Sequence, residues 1–500
     1  MKEKGDFNRL AKHVSIYAVG NLMNRGGAFV LIPVYIRILH PSEFGTLELF
    51  YSISSMVTTF VSLGLAHATL RFYFEYEDPF DREALISTSL IASFAIGLSG
   101  VAVLSTCSPF VMRYLFAGKD LSTLLYIVLA GVVLDITSQV GFAFFRAKEY
   151  SIRFILVSGA RLVTQVGVNL YAVIVLRKGI EGIIWGNFLA IAMENIIISW
   201  LVLRECRLRF HFRKLAELVR YSYPFLLSAA VGVVIANIDR IFLSSYYSLE
   251  DVGVYALALK FGMILSVFFL EPFQRGYGAF RFSIMKQENT AEVQAKVLVL
   301  LACGISMVGL VIGLFSKEVI ALMGGHIYQE AALLVPPIML SISIASIGYV
   351  FQTGILFQKK TQYMFYISST SSVFSLVTTI IGIRMYGMYG AVVAQFLNVV
   401  VHVSLTDYFS QRVYRITFPY KRIVMVYLFL AGGLSTSYLT VALPFFSGLP
   451  IKALVILMFP VVLVRSGVLT RDEQAMIRDV IRSAWGRLGS LFLPAVGKST

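Results

Sequence analysis

Residues 228–247 read SAAVGVVIANIDRIFLSSYY. Asp239 and Arg240 stand side by side in a run otherwise fit for lipid. The run has the length of a membrane-crossing helix, roughly 20 residues at about 1.5 Å each. An ionisable residue at that depth costs about 2.5–3.5 kcal/mol on insertion scales, so it is expected to face a bundle interior or a water-filled cavity. Adjacent helical residues point about 100° apart. Asp239 and Arg240 are therefore expected to meet different partners: Asp239 a neighbouring helix, Arg240 the outer mouth of a cavity or a substrate.

Working outward, about fourteen apolar runs of similar length follow one another, separated by short polar stretches. The 500 residues are 57% hydrophobic and 14% charged, against about 25% charged in soluble domains. The mean hydropathy is +0.77. The chain reads as an all-α polytopic membrane protein. Its basic start, MKEKGDFNRLAKH, runs into a long first span without an A-x-A-like cleavage site, which reads as a retained helix. Cys107, Cys206 and Cys303 are too far apart in sequence for a metal motif or a disulfide framework.

The net charge of +15 matters through its placement. With the N-terminus in the cytoplasm, about 31 of the 43 Lys and Arg fall in loops on that side. Eight fall opposite: Arg37, Arg113, Lys119, Arg177, Lys178, Lys317, Arg384 and Lys452. This positive-inside bias puts both termini in the cytoplasm. Cations scattered over many short loops do not make a nucleic-acid surface.

Two matches share an offset of 208 residues. HPSEFGTLEL (40–49) precedes SLEDVGVYAL (248–257), pairing Glu43 with Asp251 and Gly45 with Gly253. GIEGIIWGNFL (179–189) precedes GMYGAVVAQFL (387–397), pairing Gly179 with Gly387 and Asn187 with Gln395. FRAKEY (145–150) resembles FQKKTQ (357–362) at a slightly different offset. An offset of six spans makes a parallel repeat, with substrate sites expected near the midplane where the copies meet. The expected organisation is a lobe over 1–210, a lobe over 211–415, and two further helices over 416–466. A cytoplasmic amphipathic tail is expected over 467–500.

Four cations remain inside spans, Arg25, Arg161, Arg240 and Lys260, with five acids, Glu48, Asp135, Glu194, Asp239 and Glu271. Glu48 and Glu271 are near helix ends; Arg25, Asp135 and Glu194 are near mid-span. Tyr17, Asn21, Asn24 and Arg25 share one helical face, which suits a cavity lining. The alternative is an ion pair between Arg25 and Asp135 or Glu194. Ser158, Arg161, Gln165 and Asn169 mark helix five, and Gln395, Asn398 and His402 mark helix twelve, His402 reading as a hydrogen-bonded structural residue. Glu48, Ser52, Ser55, Thr59 and Ser62 form a stripe on helix two that reads as close packing.

Catalytic signatures are missing. There is no H-E-x-x-H, no nucleophile elbow and no P-loop, since Phe492 stands where the terminal VGKST would need its first Gly. No enzyme and no cofactor is expected.

At LIPVYIRILHPSEFGTLELF (31–50) and NIDRIFLSSYYSLEDVGVYALALK (237–260) the chain resembles the polysaccharide exporters of the MOP flippase superfamily, the Wzx-type O-antigen flippases and their exopolysaccharide relatives. Pro33-x-Tyr35 and Pro41-x-x-Phe44-Gly45 carry the likeness at helix one. Asp239-Arg240 and Val252-Gly253-x-Tyr255 carry it at helices seven and eight. The resemblance implies two six-helix lobes around a central cavity, plus two helices. It also implies transfer of undecaprenyl-diphosphate-linked oligosaccharide to the periplasmic leaflet of the bacterial inner membrane. Helices one, two, seven and eight would line the cavity, which places Arg25, Arg240 and Lys260 there. A diphosphate suits such cations, because Arg can grip it bidentately. Asp239, Asp135, Glu194 and Arg161 would form coupling or structural ion pairs, and the coupling ion, H+ or Na+, is left open. A polysaccharide polymerase and a chain-length regulator are the implied partners, besides membrane lipids. Two other readings stand beside this one. A cation-coupled multidrug antiporter of the same superfamily would want an excess of cavity carboxylates. A membrane-embedded glycosyl or acyl transferase would need a paired carboxylate or a His-Asp cluster at a loop edge.

Overall fold

The computed structural model describes residues 30–324, 326–441, 443–476 and 478. Among them every regular element is helical. Eleven helices are long and apolar enough to cross a membrane, and the bent pair Pro41–Val61 and Leu65–Tyr73 makes a twelfth. The 52-residue stretch Gln362–Val413 contains Gly387 at φ 57° and ψ −134°, a non-helical conformation that divides it into two helices. Dividing it brings the count among the described residues to thirteen; the first of the fourteen expected spans lies mostly outside them.

The repeat is visible as geometry. Helix Pro41–Val61 opens on a capping box: the His40 amide donates to Glu43 Oε2 (3.0 Å) and the His40 side chain accepts from the Ser42 amide. Such a box satisfies amides that the first turn leaves free. At Leu249–Leu265, 208 residues on, the Asp251 amide donates to Ser248 Oγ (3.1 Å), whose hydroxyl donates to the Asp251 carboxylate. The two helix starts also touch reciprocally. A Cβ on Gly45 would stand 1.9 Å from the Leu249 carbonyl oxygen and 2.8 Å from the Gly253 nitrogen. A Cβ on Gly253 would stand 2.0 Å from the Pro41 oxygen and 3.0 Å from the Gly45 nitrogen. Pro41 pairs with Leu249 and Gly45 with Gly253 under the same offset, so the contact maps onto itself. Only glycine permits backbones this close. Gly179 and Gly387 both take positive φ, 51° and 57°.

Packing groups the described residues as far as Ala256, with Leu322–Tyr328 and Thr379–Ala391, into one compact unit. Leu257–Ala321, Gln329–Thr378 and the described residues from Val392 onward form another. The helix Phe212–Tyr246 thus packs with the first unit, whereas the repeat begins a second lobe at residue 211. A polar clamp explains this. Lys214 Nζ lies 2.8 Å from Asp81 Oδ1, and the Tyr76 hydroxyl donates to Glu217 (2.8 Å). Burial, with the Glu217 carboxylate behind it, pushes the Tyr76 phenol up to about 12, so it remains a donor at neutral pH.

In the second unit, Lys452 pairs with Glu318 at 2.5 Å and Arg422 pairs with Glu473. Residues 471–476, the described start of the expected tail helix, are helical, and Glu473 ties them to the helix Tyr420–Thr440.

Candidate functional site

Three helices of the first unit converge on one cation. Arg161, on Ser151–Leu170, places Nη1 2.6 Å from Glu194 Oε2 and 3.3 Å from Asp135 Oδ1. Glu194 is wholly buried on Gly179–Glu205, and Asp135 lies on Ser122–Ala147. Gln139, one turn past Asp135, donates Nε2 to Asp135 Oδ2 (2.9 Å). Asn195 donates to the Leu134 carbonyl and to Ser138. One guanidinium thus serves two carboxylates, and Glu194 Oε1 is buried with no hydrogen-bond partner. Both mid-span acids are held by Arg161, the helix-five cation. Chemically, the triad locks three helices together and keeps one carboxylate uncompensated, a group that could take up a proton or cation.

A neutral network lies beside it. Asn169 donates Nδ2 to the Tyr35 hydroxyl (2.8 Å) and to Asn187 Oδ1 (3.0 Å). Gln165 donates to the same Oδ1 (3.0 Å), and Asn187 Nδ2 donates to Tyr51 (2.9 Å). Helix five therefore spends its whole polar face, Ser158 to Asn169, inside the bundle. Tyr35 stands in the sequence reading only as part of the Pro33-x-Tyr35 motif, and Tyr51 not at all; the available signal was Tyr, rather than Phe, inside an apolar span.

The Asp239–Arg240 expectation is met in one half and corrected in the other. Asp239 does reach a neighbouring helix: the Tyr255 hydroxyl, on Leu249–Leu265, donates to its Oδ2 (2.7 Å). Asp239 also meets Arg240, which the 100° divergence had argued against. Its Oδ1 accepts the Arg240 amide (2.8 Å) and lies 3.6 Å from Arg240 Nη1. The short Asp side chain folds onto the next amide, and the long Arg side chain turns back to the Ala236 carbonyl (3.0 Å). Backbone angle alone does not decide where flexible side chains end. Arg240 Nε is buried without a partner. Lys260 is half-buried on the same helix as Tyr255, in the second unit. Tyr17, Asn21, Asn24 and Arg25 lie outside the described residues.

A cavity of about 560 Å³ opens in the first unit where Pro41–Val61 breaks from Leu65–Tyr73 at a 44° bend. Leu63 and Gly64 both take positive φ at that break. Thr58, Thr59, Ser62, His67, Gln139 and Tyr221 bring polar atoms to its wall. The lower half of the helix-two stripe therefore faces space, while Ser55, Thr59 and Ser62 also donate within their own helix, to Ser52, Ser55 and Thr59 carbonyls. In the second unit, a cavity of about 190 Å³ is lined by Tyr349, Gln352, Ser368 and His402. His402 Nδ1 and Ser371 Oγ lie 3.2 Å apart, a structural hydrogen bond. Among the described residues no group of three or more His, Cys, Asp or Glu could hold a metal ion.

The model of the polysaccharide biosynthesis protein family matches residues 10–277, more than half of the chain. The chain belongs to this family. An uncharacterized membrane protein of Haemophilus influenzae is 22% identical over 269 residues, 52% of this chain; the chain spans 62% of that relative's length. Among solved structures, lipid II flippase MurJ in an inward closed conformation superposes with a TM-score of 0.72 at 14% identity, covering 90% of this chain and 99% of that one. An inward-facing multidrug resistance MATE family transporter of the MOP superfamily gives 0.60 at 14% identity, covering 81% and 94%. A MOP superfamily transporter from Pyrococcus furiosus gives 0.56 at 14% identity, covering 83% and 96%. The family member thus has the all-helical, multi-pass membrane fold of the superfamily's flippases and transporters.

Proposed function

We propose that this protein flips undecaprenyl-diphosphate-linked oligosaccharide from the cytoplasmic to the periplasmic leaflet of the inner membrane, by alternating access of its two lobes. One observation carries the reading: a member of a polysaccharide biosynthesis family, on a fold shared with a lipid II flippase, holds buried cations and a hydroxyl-lined cavity inside its helices. Arg25, Arg240 and Lys260 serve the diphosphate, with Tyr17, Asn21 and Asn24 beside them on helix one. Arg240 Nε is buried without an acceptor, a donor left over for an incoming anion, as are Nε and Nη1 of Arg281. Both termini are cytoplasmic, and a polymerase and a chain-length regulator act on the delivered product. The test is flipping of fluorescent undecaprenyl-diphosphate-oligosaccharide in proteoliposomes, read by reagent access to the outer leaflet. Flipping that depends on Arg240 is expected; an inert protein that exports a lipophilic cation would replace the reading.

That second reading, a cation-coupled antiporter, draws on the Asp135–Arg161–Glu194 triad, where carboxylates outnumber the cation. In a flippase the same surplus serves coupling to H+ or Na+. Sidedness is tested by cysteine labelling at Glu250 and Lys119 outside and at Arg213 and Lys359 inside, all exposed. Lys317 makes a poor probe, because its amine donates to the Val441 carbonyl.

A further inference from the structure

The 560 Å³ cavity at the helix-two bend combines three properties. Among the described residues no Asp, Glu, Lys or Arg lines it. Asp135, one turn from the lining residue Gln139, is bonded by it and ion-paired to Arg161. Three of its hydroxyls are also turned one way. Thr59 donates to the Ser55 carbonyl, Ser62 to Thr59 and Ser222 to Leu218. A hydroxyl that spends its proton on its own helix keeps lone pairs for an outside donor. The same wall carries the Tyr221 and Phe225 rings, 5.6 Å apart between centroids.

A wall of hydroxyl and amide acceptors, aromatic faces and one imidazole, His67, without Asp, Glu, Lys or Arg, fits a neutral ligand rich in hydroxyls. Sugar rings have that chemistry, with hydroxyls on the rim and C–H groups on the faces. A diphosphate would need cations here, and a lipophilic drug cation would need a free carboxylate. A lipid tail would offer no donor to the remaining lone pairs of Thr59, Ser62 and the Gln139 amide oxygen. We infer that this cavity is the oligosaccharide subsite, separate from the cations that serve the diphosphate, with Thr59, Ser62 and Gln139 accepting sugar hydroxyls and Tyr221 covering a ring face. This rests on the flippase reading and names which part of its substrate the cavity takes.

The test uses the full chain in nanodiscs with Cys107→Ser and Ser62→Cys, the buried Cys206 and Cys303 remaining as the unlabelled background. Two probes are compared: undecaprenyl diphosphate bearing the host's oligosaccharide, and bare undecaprenyl diphosphate. Binding of each is measured by native mass spectrometry, and occupancy of the cavity by the rate of maleimide labelling at position 62. Labelling slowed by the sugar-bearing probe and unchanged by the bare one is expected. Equal slowing by both would make the cavity a carrier site and overturn the inference. Binding of both with labelling unchanged would also overturn it, leaving the flippase reading intact. Binding of neither would overturn that reading itself. Thr59→Val is expected to weaken the sugar-bearing probe about tenfold, the size of one or two lost hydrogen bonds, without touching the bare one; unchanged affinity for both would count against the subsite.

Discussion

Helix Gly179–Glu205 and the helix that follows Gly387 are copies under the 208-residue offset, and they differ where it matters. Both begin at a glycine with positive φ. An added Cβ would stand 3.9 Å from Leu39 at Gly179 and 3.1 Å from Tyr247 at Gly387, and Leu39 and Tyr247 are themselves 208 apart. The framework is duplicated down to single contacts. The interior is not: position 194 is a fully buried Glu held by Arg161, while its counterpart is His402, exposed to a small cavity and bonded to Ser371. Backbone crossings are the shared element, and at this pair of positions charge has been placed in one copy alone. Two helices with the same backbone crossing, one ionic at this position and one neutral, can respond differently to a proton or cation while keeping matched shapes.

The strongest way to break the framework half of this comparison is at the reciprocal glycines. Gly45→Val and Gly253→Val each drive a side chain into a carbonyl about 2 Å away, so backbone must separate. Overpacking typically costs 1–3 kcal/mol, occasionally more, and here the obstacle is main chain. Both variants are expected to lose most of the membrane-inserted protein on immunoblots, and to equal extents. Unequal losses would show that the contact is not a true internal symmetry.

Next in size is the ionic interior. Arg161→Ala leaves Glu194 and Asp135 without their cation, and stripping one partner from a buried pair costs about 3–5 kcal/mol. Membrane abundance and melting temperature are expected to fall sharply. They are expected to return in large part when Glu194→Gln and Asp135→Asn are added. Glu194→Gln alone leaves one cation against one acid, so it is expected to fold well and to alter transport through its coupling. Folding loss with Glu194→Gln would mean that the second carboxylate is structural.

Much of this was legible in the sequence, and the limits have physical reasons. Hydropathy gave the spans because each apolar run must be long enough to cross lipid. The offset gave the repeat, because Gly45 and Gly253 tolerate no side chain and so leave matching letters. Which helices adjoin was not legible: helical period places Arg161, Gln165 and Asn169 on one face of helix five, but does not say that Glu194 and Asn187 face them. For the same reason Arg25 looked as suitable a partner for Asp135 and Glu194 as Arg161 did. The acceptor-lined cavity was hidden further, because it depends on a bend at Leu63–Gly64 that hydropathy averages away.

Arg25 sharpens the contrast between structural and substrate-facing cations. With Glu194 and Asp135 already held by Arg161, Arg25→Ala is expected to abolish flipping at near-normal abundance. Arg25→Lys is expected to restore it only partly, since Lys offers a point charge where Arg offers a fork. Loss of abundance, rescued by neutralising Asp135 or Glu194, would make Arg25 a structural ion and leave the diphosphate to Arg240 and Lys260.

The smallest effect is expected at His402. His402 is exposed, and its bond to Ser371 joins two uncharged groups at 3.2 Å. Such a bond contributes about 0.5–1.5 kcal/mol net, and water reaching His402 would recover part of it. Ser371 keeps its own bond to the Ile367 carbonyl (2.7 Å), so replacing the imidazole leaves the hydroxyl satisfied. His402→Gln should therefore change melting temperature by no more than one or two degrees. Its transport should keep the pH profile of the parent, whereas Glu194→Gln, at the matching position of the charged copy, shifts it. A pH profile moved by His402→Gln and not by Glu194→Gln would invert the assignment and put the titrating group on the helix that carries His402.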